Sequence, residues 1–210
     1  MFKNRTDAAR QLAERLIGYK GQNVVVVAIP RGGLPLGAII AKALNAPLDV
    51  VLTKKIGHPL NREYAIGAVS LQNKYISESS DAALHYIEEE TKRIREILLQ
   101  RQKQYYKNIT PIDVKDKIVI VVDDGVATGN TMLATIALIK EEEPIKIVVA
   151  VPVASYDAFN KLNESPFIDD VICLKTPDNF RAVSQFYKEF DSVLDERAIQ
   201  ILEESNKIIY

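Results

Sequence analysis

Apolar positions along this chain fall into two rhythms. Short apolar runs occur at 24–29, 48–53, 65–71, 118–122, 145–151 and 168–174. Their length and β-branched content predict strands. The unbroken runs at 24–29 and 118–122 further predict burial on both faces. Between them the spacing is helical. Residues 6–19 place Leu12, Leu16 and Ile17 on one face, and 34–44 forms a helix with Pro35 tolerated in its first turn. Residues 81–107 read as a long charged helix whose Leu84, Ile87, Ile94, Leu98 and Tyr105 make one packed stripe. Further helices are predicted at 130–140, 155–163 and 194–206, and 74–76 extends or pairs with the third strand. Alternation of this kind predicts a mostly parallel sheet with helices on both faces. No repeat, low-complexity segment or linker interrupts it, so residues 1–210 read as a single domain.

The most informative stretch is 119–131, V-I-V-V-D-D-G-V-A-T-G-N-T. A buried strand ends in Asp123 and Asp124, a glycine loop follows, and a helix opens at Asn130. A helix start offers unpaired amides and the positive end of a dipole, which together hold a phosphate. The acidic pair adds something else. Two carboxylates about 6 Å apart repel by roughly 2–3 kcal/mol at an effective dielectric near 20. They therefore call for a cation or hydroxyl donors, and a sugar phosphate would satisfy both halves. A single strand-end Asp would read equally as a helix N-cap with Gly125 as a turn residue. The whole run is harder to explain that way.

Ligands in open parallel sheets bind beyond the carboxyl ends of the strands, so the other strand ends are informative. After 24–29 comes Pro30-Arg31-Gly32-Gly33. Paired glycines let backbone approach a ligand, and Arg31 offers a fork of donors. Alone, this run would be only a tight turn. After 48–53 comes a basic Gly/Pro loop containing Lys54, Lys55, His58 and Arg62, which also reads as a solvated turn. With no second histidine nearby, His58 reads as a loop residue and His85 as a surface residue of the charged helix.

Residues 119–131 resemble the signature of the type I phosphoribosyltransferases without a gap. In that family the signature holds the ribose 5-phosphate of phosphoribosyl pyrophosphate (PRPP). The resemblance implies that Asp123 and Asp124 contact the ribose 2- and 3-hydroxyls. It implies that Ala127, Thr128, Gly129, Asn130 and Thr131 wrap the 5-phosphate, mainly through backbone amides, and that Gly125 also belongs to the PRPP site. Arg31, Gly32 and Gly33 match the pyrophosphate loop, and the peptide from Pro30 to Arg31 is expected to be cis. A subfamily of bacterial proteins shares Lys55, Gly57, Pro59, Asn61, Glu63 and 65–69, while Lys54 stands where Arg is more usual and so loses a bidentate fork. Phe180 matches an aromatic that stacks on the base beside Val126, although a turn with Phe180, Val183 and Phe186 packed inward fits equally well.

Two departures matter. Ala127 replaces an Asp that serves proton transfer in hypoxanthine-guanine enzymes, though adenine-type enzymes also carry Ala-Thr-Gly. Ser165 aligns where purine enzymes use a lysine.

The implied fold is a three-layer α/β/α type I phosphoribosyltransferase fold, with strand order 3-2-1-4-5-6 and strand 3 antiparallel. The short link between the second and third runs supports the antiparallel strand, since no helical crossover fits there. The long helix at 81–107 and a hood-like segment at 176–190 would elaborate it. The implied activity transfers ribosyl 5-phosphate from PRPP to a nitrogenous base, in nucleobase salvage, releasing pyrophosphate. Asp123, Asp124, Arg31 and Lys55 would be catalytic, with Lys54 helping to hold PRPP. Mg2+ would enter with PRPP and reach Asp123 and Asp124 only through ribose hydroxyls or water. The alternative is a protein that senses PRPP with little or no transfer. The expected assembly is a homodimer acting on small molecules.

The bulk properties agree. Hydrophobic residues make up 47%, and 27 basic residues face 28 acidic ones. That balance argues against coating of nucleic acid. A lone Cys173 in an apolar run reads as a buried thiol and suits a reducing compartment. The first residues lack an apolar leader and no run reaches membrane-spanning length, so the chain is read as cytoplasmic. The dinucleotide Gly-x-Gly-x-x-Gly, the nucleotide-binding Gly-Lys-Ser/Thr and the esterase Gly-x-Ser-x-Gly do not occur. An aspartyl-phosphate receiver would share the acidic strand end but leaves Thr-Gly-Asn-Thr unexplained.

Overall fold

The computed structural model describes residues 1–77 and 80–207, the Glu63 side chain excepted. Five strands form the main sheet: β1 (Val24–Ala28), β2 (Leu48–Val50), β6 (Ile118–Val122), β7 (Lys146–Val153) and β8 (Asp170–Lys175). Their order is β2-β1-β6-β7-β8 and every pairing is parallel. The helices are α1 (Arg5–Leu16), α2 (Gly33–Leu44), α3 (Leu84–Tyr105), α4 (Asn130–Lys140), α5 (Tyr156–Asn163) and α6 (Asp195–Lys207).

Strands β1 and β6 are apolar at every position because each parity serves a different core. Val24, Val26, Ala28, Ile120 and Val122 pack with Leu12, Leu16, Ile40 and Leu202 of α1, α2 and α6. Val25, Val27, Val119, Val121 and Val149 pack with Met132, Ile136 and Leu162 of α4 and α5. Those two cores separate the three layers.

One expected strand lies elsewhere. The 65–71 run does not border the main sheet. It belongs to β4 (Asn61–Val69), which pairs antiparallel with β3 (Lys54–His58) and with β5 (Lys74–Ile76) in a separate three-stranded sheet. The strand order is therefore 2-1-4-5-6 in the main sheet, with the third run detached. The reason is local. β2 ends at Val50, and the supposed basic loop is itself a strand and a turn, so the backbone bonds of β4 are met by its own hairpin. This sheet packs against α3 and α4.

Smaller differences follow from packing direction. Leu12 and Leu16 are buried, but Ile17 is 53% exposed because α1 gives way to a 3-10 turn there. Leu84 is 79% exposed at the first position of α3, before the buried stripe of Ile87, Ile94, Leu98 and Tyr105 begins. Cys173 is half-buried and donates to the Lys175 carbonyl at 3.2 Å. His58 closes β3 rather than lying in a loop, with Nε2 3.0 Å from Asp81 Oδ1. Among the described residues no helix is long and apolar enough to cross a membrane.

Candidate active site

Strands β1 and β6 are direct neighbours in register, Val24 beside Ile118 and Ala28 beside Val122. Their carboxyl ends therefore stop side by side. The amide of Ile29 donates to the Val122 carbonyl at 2.9 Å, and this bond draws the loop after β1 onto the acidic loop after β6. The closeness explains the paired glycines. A Cβ on Gly32 would lie 2.1 Å from Asp124 Oδ2, and one on Gly33 would lie 2.4 Å from the Val122 carbonyl oxygen. At Gly33 the obstacle is backbone and only glycine fits, whereas a side chain at Gly32 would have to push the Asp124 carboxylate aside. The Pro30–Arg31 peptide is cis.

The helix starts differ in their capping. Asn4 caps α1 by accepting from the Asp7 amide, and Ser155 caps α5 by accepting from the Ala158 amide. Helices α2 and α4 start instead at Gly32 and Gly129, with no side chain closing either. The first amides of α4 have no intrahelical acceptor, whereas in α2 the Gly33 amide donates to the Ile29 carbonyl at 3.0 Å and the Leu34 amide to the Arg31 carbonyl at 3.2 Å. Gly129 holds φ +79°, the left-handed region. Ala127, Thr128 and Thr131 are exposed around it, and Asn130 is half-buried. The loop is braced from behind, where Ser155 Oγ donates to the Ala127 carbonyl at 2.7 Å.

The acidic pair is asymmetric. Asp123 Oδ1 accepts from the Asp124 amide at 2.8 Å. Burial, then the neighbouring Asp124 charge, pushes the Asp123 carboxyl well above the usual carboxylate range. Burial also raises Asp124, but Arg5 opposes the rise. Arg5 Nε and Nη2 both reach Asp124 Oδ2, at 2.9 and 2.8 Å. Sequence reasoning missed Arg5. The available signal was a cation in the first turn of a helix, where the dipole disfavours it.

The raised Asp123 has a consequence for stability. Its folded-state pKa lies above the unfolded value, so its contribution is fully present below the ordinary value of 3.8 and is lost as pH rises through the raised value. Asp123→Asn keeps an acceptor for the Asp124 amide and removes the charge. It is expected to raise the melting temperature of the ligand-free protein at pH 7, by about 2–4 °C for each kcal/mol recovered. The gain should vanish near pH 3. Calorimetric melting at both pH values checks this, and equal melting at pH 7 contradicts it.

The segment after β8 covers the site. Tyr187 donates its hydroxyl to the Asp124 carbonyl at 2.7 Å. Val183 methyls fill the space beside Gly125, 2.6 Å from where a Cβ would stand. Phe180 is half-buried, its ring centroid 5.3 Å from that of Phe186. The N-terminus ties this hood down, because the Phe2 amide donates to the Phe186 carbonyl and the Lys188 amide to the Phe2 carbonyl. Val126 is 5% exposed among the residues packed on α4 and α5, so it supports the loop and offers no face to a ligand.

Contacts thus bring Gly32, Gly33, Asp123, Asp124 and Gly125 together, with residues 127–131 continuing the loop. Arg31 stands at the rim, its Nη1 3.6 Å from Asp195 Oδ2 at the start of α6. Lys54 and Lys55 are carried by the β3–β4 hairpin, and Lys54 lies near Glu90 of α3.

The phosphoribosyl transferase domain family matches residues 2–191. A Mycobacterium tuberculosis protein provisionally named a phosphoribosyl transferase is 34% identical over 213 residues, covering 99% of this chain and 47% of the relative. The chain spans about half the length of the curated relatives it matches there. A uracil phosphoribosyltransferase of Mycoplasma genitalium is 38% identical over 84 residues, 37% of this chain and 40% of that protein. The crystal structure of TT1426 from Thermus thermophilus superposes with a TM-score of 0.90 at 37% identity, covering 97% of this chain and 98% of that one. By its fold, its strand-end loops and these matches, the chain belongs to the phosphoribosyltransferase family.

Proposed function

We propose that this protein transfers the ribosyl 5-phosphate of PRPP to a nitrogenous base and releases pyrophosphate. The observation that carries this reading is the meeting of two glycine-opened, uncapped helix starts with an acidic pair at adjacent strand ends. Residues 127–131 would take the 5-phosphate by backbone amides. Asp123 and Asp124 would accept from the ribose hydroxyls. Gly32 would offer its amide to pyrophosphate and Gly33 room for its approach, while Arg31, Lys54 and Lys55 would balance the charge. Phe180 would flank the base. In the reaction the base nitrogen forms a bond to the anomeric carbon as the carbon–oxygen bond to pyrophosphate breaks. The acids would stabilise the positive sugar and the bases the leaving group, which favours the transition state over the ground state.

Magnesium fits as a passenger of the substrate. Among the described residues no three His, Cys, Asp or Glu side chains gather to cage a metal, and Asp124 is already paired with Arg5. Asp123 and Asp124 would meet the ion through hydroxyls or water, and when bound it would neutralise pyrophosphate. The same reading carries the expectation of nucleobase salvage in a cytoplasmic homodimer.

The test is pyrophosphate release from PRPP and Mg2+ across a panel of nucleobases. Release with at least one base supports transfer. Tight PRPP binding with no release for any base supports the sensing alternative, which Ala127 permits because a methyl group moves no proton. Within the transfer reading, Gly32→Ala should lower turnover about 100-fold, since its methyl displaces the Asp124 carboxylate by roughly an ångström. Steady-state kinetics on a variant with unchanged circular dichroism checks this.

A further inference from the structure

The Arg5 side chain bridges two parts of the site. Its guanidinium lies between the acidic strand end and the hood. On one side Nε and Nη2 converge on Asp124 Oδ2. On the other, Cζ sits 3.9 Å over the Phe190 ring and Nη1 donates to the Asp191 carbonyl at 2.6 Å. The Arg5 side chain is 13% exposed and that of Asp124 is 15% exposed, so the pair is shielded from solvent. The surrounding groups are also fixed. Tyr187 holds the Asp124 carbonyl, Asp123 holds the Asp124 amide, and the Gly32 backbone abuts the carboxylate.

This geometry does two things to Asp124. First, both Arg5 donors use the same oxygen. Oδ1 is left as the atom of the pair without an Arg5 bond, with two lone pairs for a hydroxyl donor. Second, the shielded cation opposes the burial that raises the Asp124 carboxyl, and so favours its charged form at the place where a sugar hydroxyl would need an acceptor. A hydrogen bond to a charged acceptor is roughly twice as strong as one to a neutral acceptor.

We propose that Arg5 is a positioning residue of the sugar site: it fixes Asp124 as the charged, hydroxyl-accepting member of the acidic pair and couples it to the hood. The inference rests on the sugar-phosphate reading of the site. Arg5 itself touches no substrate. It acts through Asp124, so its influence belongs to the ribose hydroxyls and not to the phosphate, which the loop at 127–131 would hold.

That separation makes the role testable. Wild type, Arg5→Gln and Arg5→Lys of the full chain are titrated calorimetrically with ribose 5-phosphate, 2-deoxyribose 5-phosphate and inorganic phosphate. Arg5→Gln should weaken ribose 5-phosphate by about tenfold or more and change inorganic phosphate by less than about twofold, with the deoxy sugar between them. Arg5→Lys, which keeps the charge, should recover part of the loss. Equal weakening of all three ligands means a merely structural role and overturns the proposal. So does unchanged binding, and so does tighter binding of ribose 5-phosphate, which would mark Arg5 as a competing plug. If the wild type binds neither sugar phosphate nor phosphate, the sugar-phosphate reading itself fails, an outcome distinct from the others. A second measurement needs no variant. The Arg5 Nε–H resonance of 15N-labelled wild type should shift with ribose 5-phosphate and stay in place with inorganic phosphate. A resonance indifferent to ribose 5-phosphate overturns the proposal.

Discussion

Gly129→Val is expected to weaken PRPP binding at least about 100-fold, a loss of roughly 2.7 kcal/mol. Collision of the Cβ is not the cause, since the atoms nearest to one at this position are those of Ala158 at 3.7 Å, an ordinary contact. The cause is the backbone. Gly129 caps α4 at φ +79°, where a β-branched residue is an outlier and strain costs about 1–3 kcal/mol. Relieving that strain turns the amides of the first turn away from a bound phosphate, and each such bond to a charged group is worth about 1.5–3 kcal/mol. Asparagine tolerates the left-handed region, so Gly129→Asn should lose far less. Calorimetry with PRPP and Mg2+ on both variants decides it. Equal affinity of Gly129→Val and wild type would remove this loop from the binding site.

Asp124→Asn is expected to lower turnover about 10²–10³-fold, far more than it weakens PRPP binding. The substitution preserves shape, so an amide oxygen can still accept from a hydroxyl. What it removes is negative charge, which matters most when the sugar becomes positive in the transition state. The variant also leaves Arg5 with a neutral neighbour, and loss of a partner in a shielded pair commonly costs about 3–5 kcal/mol. A melting curve must therefore accompany the kinetics. If affinity falls and kcat is unchanged, Asp124 only binds, and its role in transfer is excluded.

These two substitutions show why local sequence was informative about the site and where it stopped. Gly32 and Gly129 look alike in the chain, each opening a helix after a strand. Gly129 is required by its dihedral angle, and Gly32 by the Asp124 carboxylate pressed against it. Sequence pattern predicts a glycine loop in both cases, yet only the fold distinguishes the two reasons. The basic run at 54–62 misled for a related cause. Its glycine, proline and charges resemble a loop, but pairing with β4 makes it a strand, and pairing partners are not encoded in the composition of one segment.

Features with a short period were legible in the chain alone. Apolar runs placed the main-sheet strands, helical spacing placed helices α1 to α6 to within a few residues, and the run ending in Asp123 and Asp124 marked the strand end followed by the loop proposed to hold phosphate. Such features depend on residues a few positions apart, so local chain geometry suffices. Contacts between distant segments emerged only on folding. Folding detached the β3-β4-β5 sheet, laid Val183 and Tyr187 over Gly125 and Asp124, and brought Arg5 to an aspartate 119 positions away. Parallel strands β1 and β6 are joined through long crossovers. The loops at their ends become neighbours only once the sheet is assembled, and the charge on each carboxylate is set by what that assembly places beside it.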